Sequence, residues 1–169
     1  ASAFQDLFYT YDPAGNITHI RDKAQPTHFF NGQVVIPHND YVYDAIYRLI
    51  EASGREHIGQ LGQPETNWND EFRSNLPHPS DGAAMRNYTE QYEYDAVGNF
   101  KHLIHDADRG SWRRTYVYDE ASLLEPAKQS NRLSRTVIGI AAAGGPTEQY
   151  RHDAHGNMTS MPHLTVMRW

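Results

Sequence analysis

The 169 residues carry a formal charge of −6, from 21 acidic and 15 basic side chains with no basic block and no acidic tail, which argues against nucleic acid or an anionic membrane as partner. Hydrophobic residues make up 38%, short of the roughly 45–50% apolar share of a typical globular domain, so the chain suits one thinly cored domain or a slice of a larger repeat array. The absence of cysteine excludes disulfides, thiolate zinc sites and thiol nucleophiles. No apolar run approaches the ~20 residues that span a bilayer, and Ala1 to Phe8 lacks the charged and apolar regions of a secretory leader.

One pattern, aromatic-x-aromatic-Asp, organises the chain. Its first copy, Tyr9-Thr-Tyr11-Asp12, leads into Pro13, Gly15 and Asn16 and then into the alternating run Ile17 to Arg21. Residues two apart on a strand share a face, so the Tyr pair lays two rings on one side. Asp12 then ends the strand, because its carboxylate can accept amides two residues on, while Gly15 tolerates the left-handed backbone that returns the chain. A hairpin over residues 8–22 is predicted. Asn31-Gly32, between Thr27 to Phe30 and Gln33 to Ile36, predicts a second, two-residue hairpin.

The second copy is Tyr41-Val-Tyr43-Asp44, a unit over 41–56 whose turn carries Tyr47 and no Gly before Arg48 to Glu51. Residues 59–86, rich in Gly, Pro, Asn and Asp, read as a long insertion with a short helical turn near Trp68 to Arg73. Tyr92-Glu-Tyr94-Asp95 opens the third unit, 91–106, with Gly98 and Asn99 in its turn. The fourth, 115–139, has Tyr116-Val-Tyr118-Asp119, a longer loop over Glu120 to Ser130 and a return strand placed at Asn131 to Leu133. After a flexible Gly/Ala turn at Ala141 to Pro146 comes the fifth, 149–168, in which Tyr150-Arg-His152-Asp153 puts His for the second Tyr and Gly156-Asn157 completes the turn. Three copies of D-x-x-G-N stand where composition alone gives an expectation of about 0.02. The expected fold is all-β: antiparallel hairpin repeats with long loops, and turn length that varies between copies.

Chemistry-bearing patterns are sparse. His102 and His105, three apart on a strand, point to opposite faces, and each turn aspartate offers one carboxylate where Ca²⁺ takes six to eight oxygens, so no metal site is expected. There is no G-x-S-x-G elbow and no phosphate loop, so neither catalytic nor cofactor-binding residues are assigned. The aromatic ladders leave one rival to a purely structural role, stacking on the sugar rings of a glycan.

Tyr9-Thr-Tyr-Asp-Pro-Ala-Gly-Asn-Ile-Thr-His-Ile resembles the YD/Rhs-repeat family, and the run Tyr41 to Glu56 resembles more specifically the repeat region of C-component proteins of insecticidal toxin complexes. The resemblance implies that residues 1–169 are a fragment of a secreted, extracellular shell. In it a long sheet winds spirally into a cocoon that encloses a toxic effector domain lying outside this chain. Partners would be the rest of the shell, the enclosed effector and a toxin-complex partner subunit. Teneurin-like members supply the alternative, an adhesion module binding carbohydrate or protein.

Overall fold

The computed structural model describes residues 3–58, 82–139, 147–162, 164 and 167. The described residues form strands in chain order: β1 (Leu7–Tyr11), β2 (Ile17–Asp22), β3 (His28–Phe30), β4 (Gln33–Val35), β5 (His38–Tyr43), β6 (Leu49–His57) and β7 (Met85–Tyr94). They continue with β8 (Phe100–Asp106), β9 (Trp112–Val117), β10 (Arg135–Ile138), β11 (Thr147–Gln149), β12 (Arg151–His152) and β13 (Met158–Ser160). Nine of them make one open antiparallel sheet in the order β1-β2-β5-β6-β7-β8-β9-β10-β11, so strands add to the sheet almost in chain order. The all-β hairpin architecture expected from the repeats is thus present. The Asn31-Gly32 turn closes the small β3–β4 hairpin, with Asn31 at φ 48° and Gly32 at φ 76°. This hairpin lies across β7, where the Asn87 side chain donates to the Val34 carbonyl at 3.1 Å.

A single sheet layer leaves little to bury. Among the described residues the fully enclosed apolar ones are small, Val35, Ala52, Ala84 and Ala107, in keeping with the low hydrophobic share. Cohesion must therefore come mainly from strand pairing and from side chains lying on the sheet faces.

Each Asp-led turn has the same backbone closure. The Asp amide donates to the carbonyl four residues on (Asp12 to Asn16, Asp44 to Arg48, Asp95 to Asn99, Asp153 to Asn157, each 2.9 Å), and the amide three residues on returns to the Asp carbonyl at 3.0–3.2 Å. Gly15, Gly98 and Gly156 occupy the left-handed slot at φ 95°, 97° and 87°. The turn after Asp44 has the same length, with Tyr47 in the slot at φ 65°. Turn length, expected to vary between copies, is constant in these four and departs only after Asp119.

Beside each turn the ladder also slips by one residue. The shift falls between Thr10/Tyr11, Val42/Tyr43, Glu93/Tyr94 and Arg151/His152, always just before the second aromatic position, so that Thr18, Ile50, Lys101 and Thr159 are each the extra residue of a β-bulge.

Two sequence expectations are corrected. The fourth unit's return strand is β10, Arg135–Ile138, and not Asn131 to Leu133. The loop after Asp119 closes on itself through an Ala121–Gln129 bridge and on the Ser134 hydroxyl, which accepts the Asp119 and Glu120 amides at 3.0 and 3.1 Å. The insertion assigned to 59–86 also reaches too far. Met85 and Arg86 already belong to β7, paired with His57 and Glu56, because extending the ladder satisfies their backbone groups. The helical turn near Trp68 to Arg73 and the turn at Ala141 to Pro146 lie outside the described residues.

A Cβ on Gly15 or Gly98 would meet nothing within 4 Å, so Gly15→Val and Gly98→Val isolate the backbone penalty and should each cost about 1–3 kcal/mol. Tyr47→Gly should gain up to about 1 kcal/mol by relieving the same strain. Urea denaturation measures all three, and unchanged midpoints for both valine variants would reject the turn assignment.

Candidate functional site: clamped turns, latches and a buried charge cluster

The repeat residues singled out in the sequence converge on one rim of the sheet. In the first turn the Asp12 Oδ1 accepts the Ala14 and Asn16 amides, both at 2.9 Å, and Oδ2 accepts the Asn16 side-chain amide at 2.8 Å. Asp95 repeats the set with Val97 and Asn99 (3.0, 2.8 and 2.9 Å), and Asp153 with His155 and Asn157 (2.9 Å each). Asp44 does the same with Ile46 and Arg48, except that the Oδ2 partner is the Arg48 Nε at 2.7 Å.

These bonds hold all four carboxyls below the usual carboxylate value. The leading cause is the Asn16 side chain at Asp12, the Arg48 amide at Asp44 and the Asn157 side chain at Asp153. At Asp95 desolvation pulls upward first, and the bonds to Asn99, Val97 and Gly98 outweigh it. The carboxylate lone pairs are thus spent on the turn itself, and the described residues hold no group of three His, Asp or Glu arranged to bind a metal. Asp119 lacks this clamp and pairs instead with Arg135.

In the second and third units the second aromatic residue of the motif reaches to the preceding hairpin. The Tyr43 hydroxyl donates to the Ile17 carbonyl and the Tyr94 hydroxyl to the Leu49 carbonyl, both at 2.8 Å; each acceptor is the first residue after the preceding turn. Arginines add to this. The Arg48 guanidinium lies 4.7 Å from the Tyr94 ring centroid, and its Nη1 reaches the Asp95 carbonyl at 3.4 Å, while the Arg132 Nη1 reaches the Asp153 carbonyl at 3.4 Å.

The first aromatic residues serve within the sheet. Tyr92 donates to Glu90 at 2.5 Å, and Tyr150 to Glu148 at 3.0 Å. Burial raises the Tyr41 and Tyr116 hydroxyls above the usual phenol value, as it does that of Tyr118, the second aromatic of its unit. Tyr92, Tyr94, Phe100 and Tyr116 form a cluster of rings with centroids 4.8–6.2 Å apart. Tyr9 and Tyr11, 6.4 Å apart, form the open pair at the sheet edge.

Sequence reasoning did not find the cluster around His105. That ring is 5% exposed, stacked between Tyr88 (5.0 Å) and Trp112 (5.1 Å, 10° between planes). Its Nε2 lies 3.1 Å from Glu56 Oε2 and its Nδ1 3.1 Å from Glu90 Oε1. The other Glu56 oxygen is held by Arg86, at 2.6 Å from Nε and 2.5 Å from Nη2, and Gly110 leaves the space that this guanidinium occupies. Two cations thus face two carboxylates across three adjacent strands. His105, read in the sequence as a poor metal ligand, is paired across strands and buried. Its signal in the sequence would have been Glu90 opposite it, a pairing that becomes readable only once the bulge at Lys101 is counted.

Removing the hydroxyl in Tyr43→Phe or Tyr94→Phe should cost about 0.5–1.5 kcal/mol, whereas Tyr11→Phe should be neutral in this chain; urea midpoints of the three distinguish them. Burial alone would lower the His105 value, yet the adjacent Glu56 and Glu90 carboxylates push it up to about 9. Because the folded value exceeds the ordinary 6.5, the stabilisation is full below about pH 6.5 and is lost as pH rises through about 9. Stability should therefore fall between pH 7 and 10 and fall less in His105→Gln; an NMR titration placing His105 near 6.5 would reject the cluster.

No family model matches the chain. It is 42% identical over 107 residues to the toxin subunit YenC2 of Yersinia entomophaga, which is 63% of this chain and 11% of that protein. The toxin subunit YenC1 of the same organism is 41% identical over 62% of this chain and 10% of its own length. The chain thus spans about a tenth of the curated relatives it matches. Among solved structures, the crystal structure of TcdB2-TccC3-Cdc42 aligns over 92% of this chain and 9% of that one with a TM-score of 0.55 and 28% identity, and that of TcdB2-TccC3-TEV gives 0.54 and 28%. With its recurring aromatic-x-aromatic-Asp strands, its clamped turns and these likenesses, the chain is, over 63% of its length, a homologue of Rhs-type toxin-complex subunits.

Proposed function

We propose that this chain is a wall segment of a toxin-complex shell, structural and not catalytic, and that the shell encloses and helps deliver a toxic effector domain outside these residues. The observation that carries the reading is the open sheet in which each hairpin pairs with the next and the first three are joined by the same tyrosine latch, with side chains spent on cohesion. A wall needs this kind of extension, since each unit contacts its neighbours and a large apolar core is unnecessary. The homology to toxin subunits and the likeness to TcdB2-TccC3 assemblies support the same role and suggest a large toxin-complex subunit as partner, acting outside the producing cell. Among the motif tyrosines, Tyr43, Tyr94, Tyr92 and Tyr150 use their hydroxyls on the protein itself, which favours the wall over a sugar-stacking adhesion surface.

Replacing the matching 107 residues of YenC2 with those of this chain should give a subunit that resists limited proteolysis as the parent does and keeps its toxicity. A chimera with the parent's circular dichroism that is cut throughout, or that has lost toxicity, would overturn the reading.

A further inference from the structure

The contact between hairpins recurs along the sheet in two alternating forms. The residue that closes the turn on the Asp is Asn16 in the first unit, Arg48 in the second, Asn99 in the third and Asn157 in the fifth. In the fourth, whose turn is replaced by a loop, Arg132 stands at the corresponding place. Arginine-bearing units therefore alternate with asparagine-bearing ones, and both arginines do the same thing: they reach forward to the turn Asp carbonyl of the next, asparagine-bearing hairpin, Asp95 and Asp153. Where the second unit meets the third, the same neighbour also supplies the tyrosine latch, its Tyr94 hydroxyl donating back to the Leu49 carbonyl.

The first unit is an asparagine-bearing hairpin with the receiving half of this contact and no giver. Tyr11 holds the place of Tyr94, just past the bulge and before the turn Asp. Its side chain is 57% exposed, and its hydroxyl has no hydrogen-bond partner among the described residues. The Asp12 carbonyl accepts the Gly15 amide as the Asp95 carbonyl accepts that of Gly98, at 3.1 and 3.2 Å, but no arginine. The strand itself pairs on one side only, with β2, and Leu7–Tyr11 contains neither the charges nor the proline that keep an edge from pairing.

We propose that the free edge of β1 is the docking surface for one further hairpin of the arginine-bearing kind, another repeat unit of the wall. It would lie antiparallel, offering the carbonyl of the first residue after its turn to the Tyr11 hydroxyl and its arginine to the Tyr11 ring and the Asp12 carbonyl. The inference rests on the wall reading and narrows it. A neighbour with D-x-x-x-R in its turn is specified, and one with D-x-x-G-N is excluded.

Fusion tests this on the whole chain. Residues 38–57, the arginine-bearing hairpin, are placed ahead of Ala1 through a Gly/Ser linker, and residues 7–22, the asparagine-bearing hairpin, are placed there in a control. Amide hydrogen exchange is read at β1 in dilute solution. Exchange of its outward-facing amides should slow about tenfold or more in the first fusion and clearly less in the control. Tyr11→Phe, or Arg48→Ala in the grafted copy alone, should each return part of that protection. Exchange as fast in the first fusion as in the unfused chain overturns the proposal, as does equal protection by both hairpins. Protection that grows with concentration in the unfused chain would make a second copy the occupant, and overturns it too. Any of these failures leaves the chimera experiment unaffected, so loss of the docking rule and loss of the wall role are distinguishable.

Discussion

A carboxylate that turns back on its own chain underlies the rest of the structure. In four turns one Asp oxygen accepts two amides and the other binds the residue four positions on, so three bonds are satisfied by a single side chain at the end of a strand. Turn length and register follow from this clamp. A sheet covered only in part by the β3–β4 hairpin, with small apolar residues alone fully enclosed among the described residues, has no large core to choose between registers, and the turns must do so locally.

The bulge beside each clamp converts that local regularity into contact between units. One extra residue opposite the second aromatic position shifts the strand so that Tyr43 and Tyr94 can reach carbonyls of the preceding hairpin. The same shift in the third unit carries His105 from the level of Thr89 to that of Glu90, and so into reach of a carboxylate. Without it, the two cations and two carboxylates of the His105 cluster would not lie together. A buried charge left unpaired is costly, so the cluster and the bulge support one another.

These contacts are short-range along the chain's own order of hairpins, with the exception of the β6–β7 pairing that spans the insertion. Cohesion distributed in this way suits a wall that extends by adding units. It also concentrates vulnerability at the edges, where a latch residue such as Tyr11 has a donor and, among the described residues, no acceptor.

The all-β class, the hairpins and the identity of the clamping residues were legible in the amino-acid order because each depends on neighbours within five positions: Asp12 and Asn16, or Asn31 and Gly32, meet whatever the remainder does. The turn at Asp44 was placed, but its equivalence to the other three escaped because Tyr47 accepts a left-handed backbone that glycine usually signals, and Arg48 takes the place of asparagine. The return strand after Asp119 was misplaced because its loop is closed by Ser134, fifteen residues on. The latches, the alternation of arginine and asparagine units, and the burial of His105 depend on register across separate strands, and on a pairing of Glu56 with Arg86 that bridges an insertion of some thirty residues. No local pattern encodes that distance, because which side chains meet across a sheet is set by where every intervening bulge and turn has placed the strands.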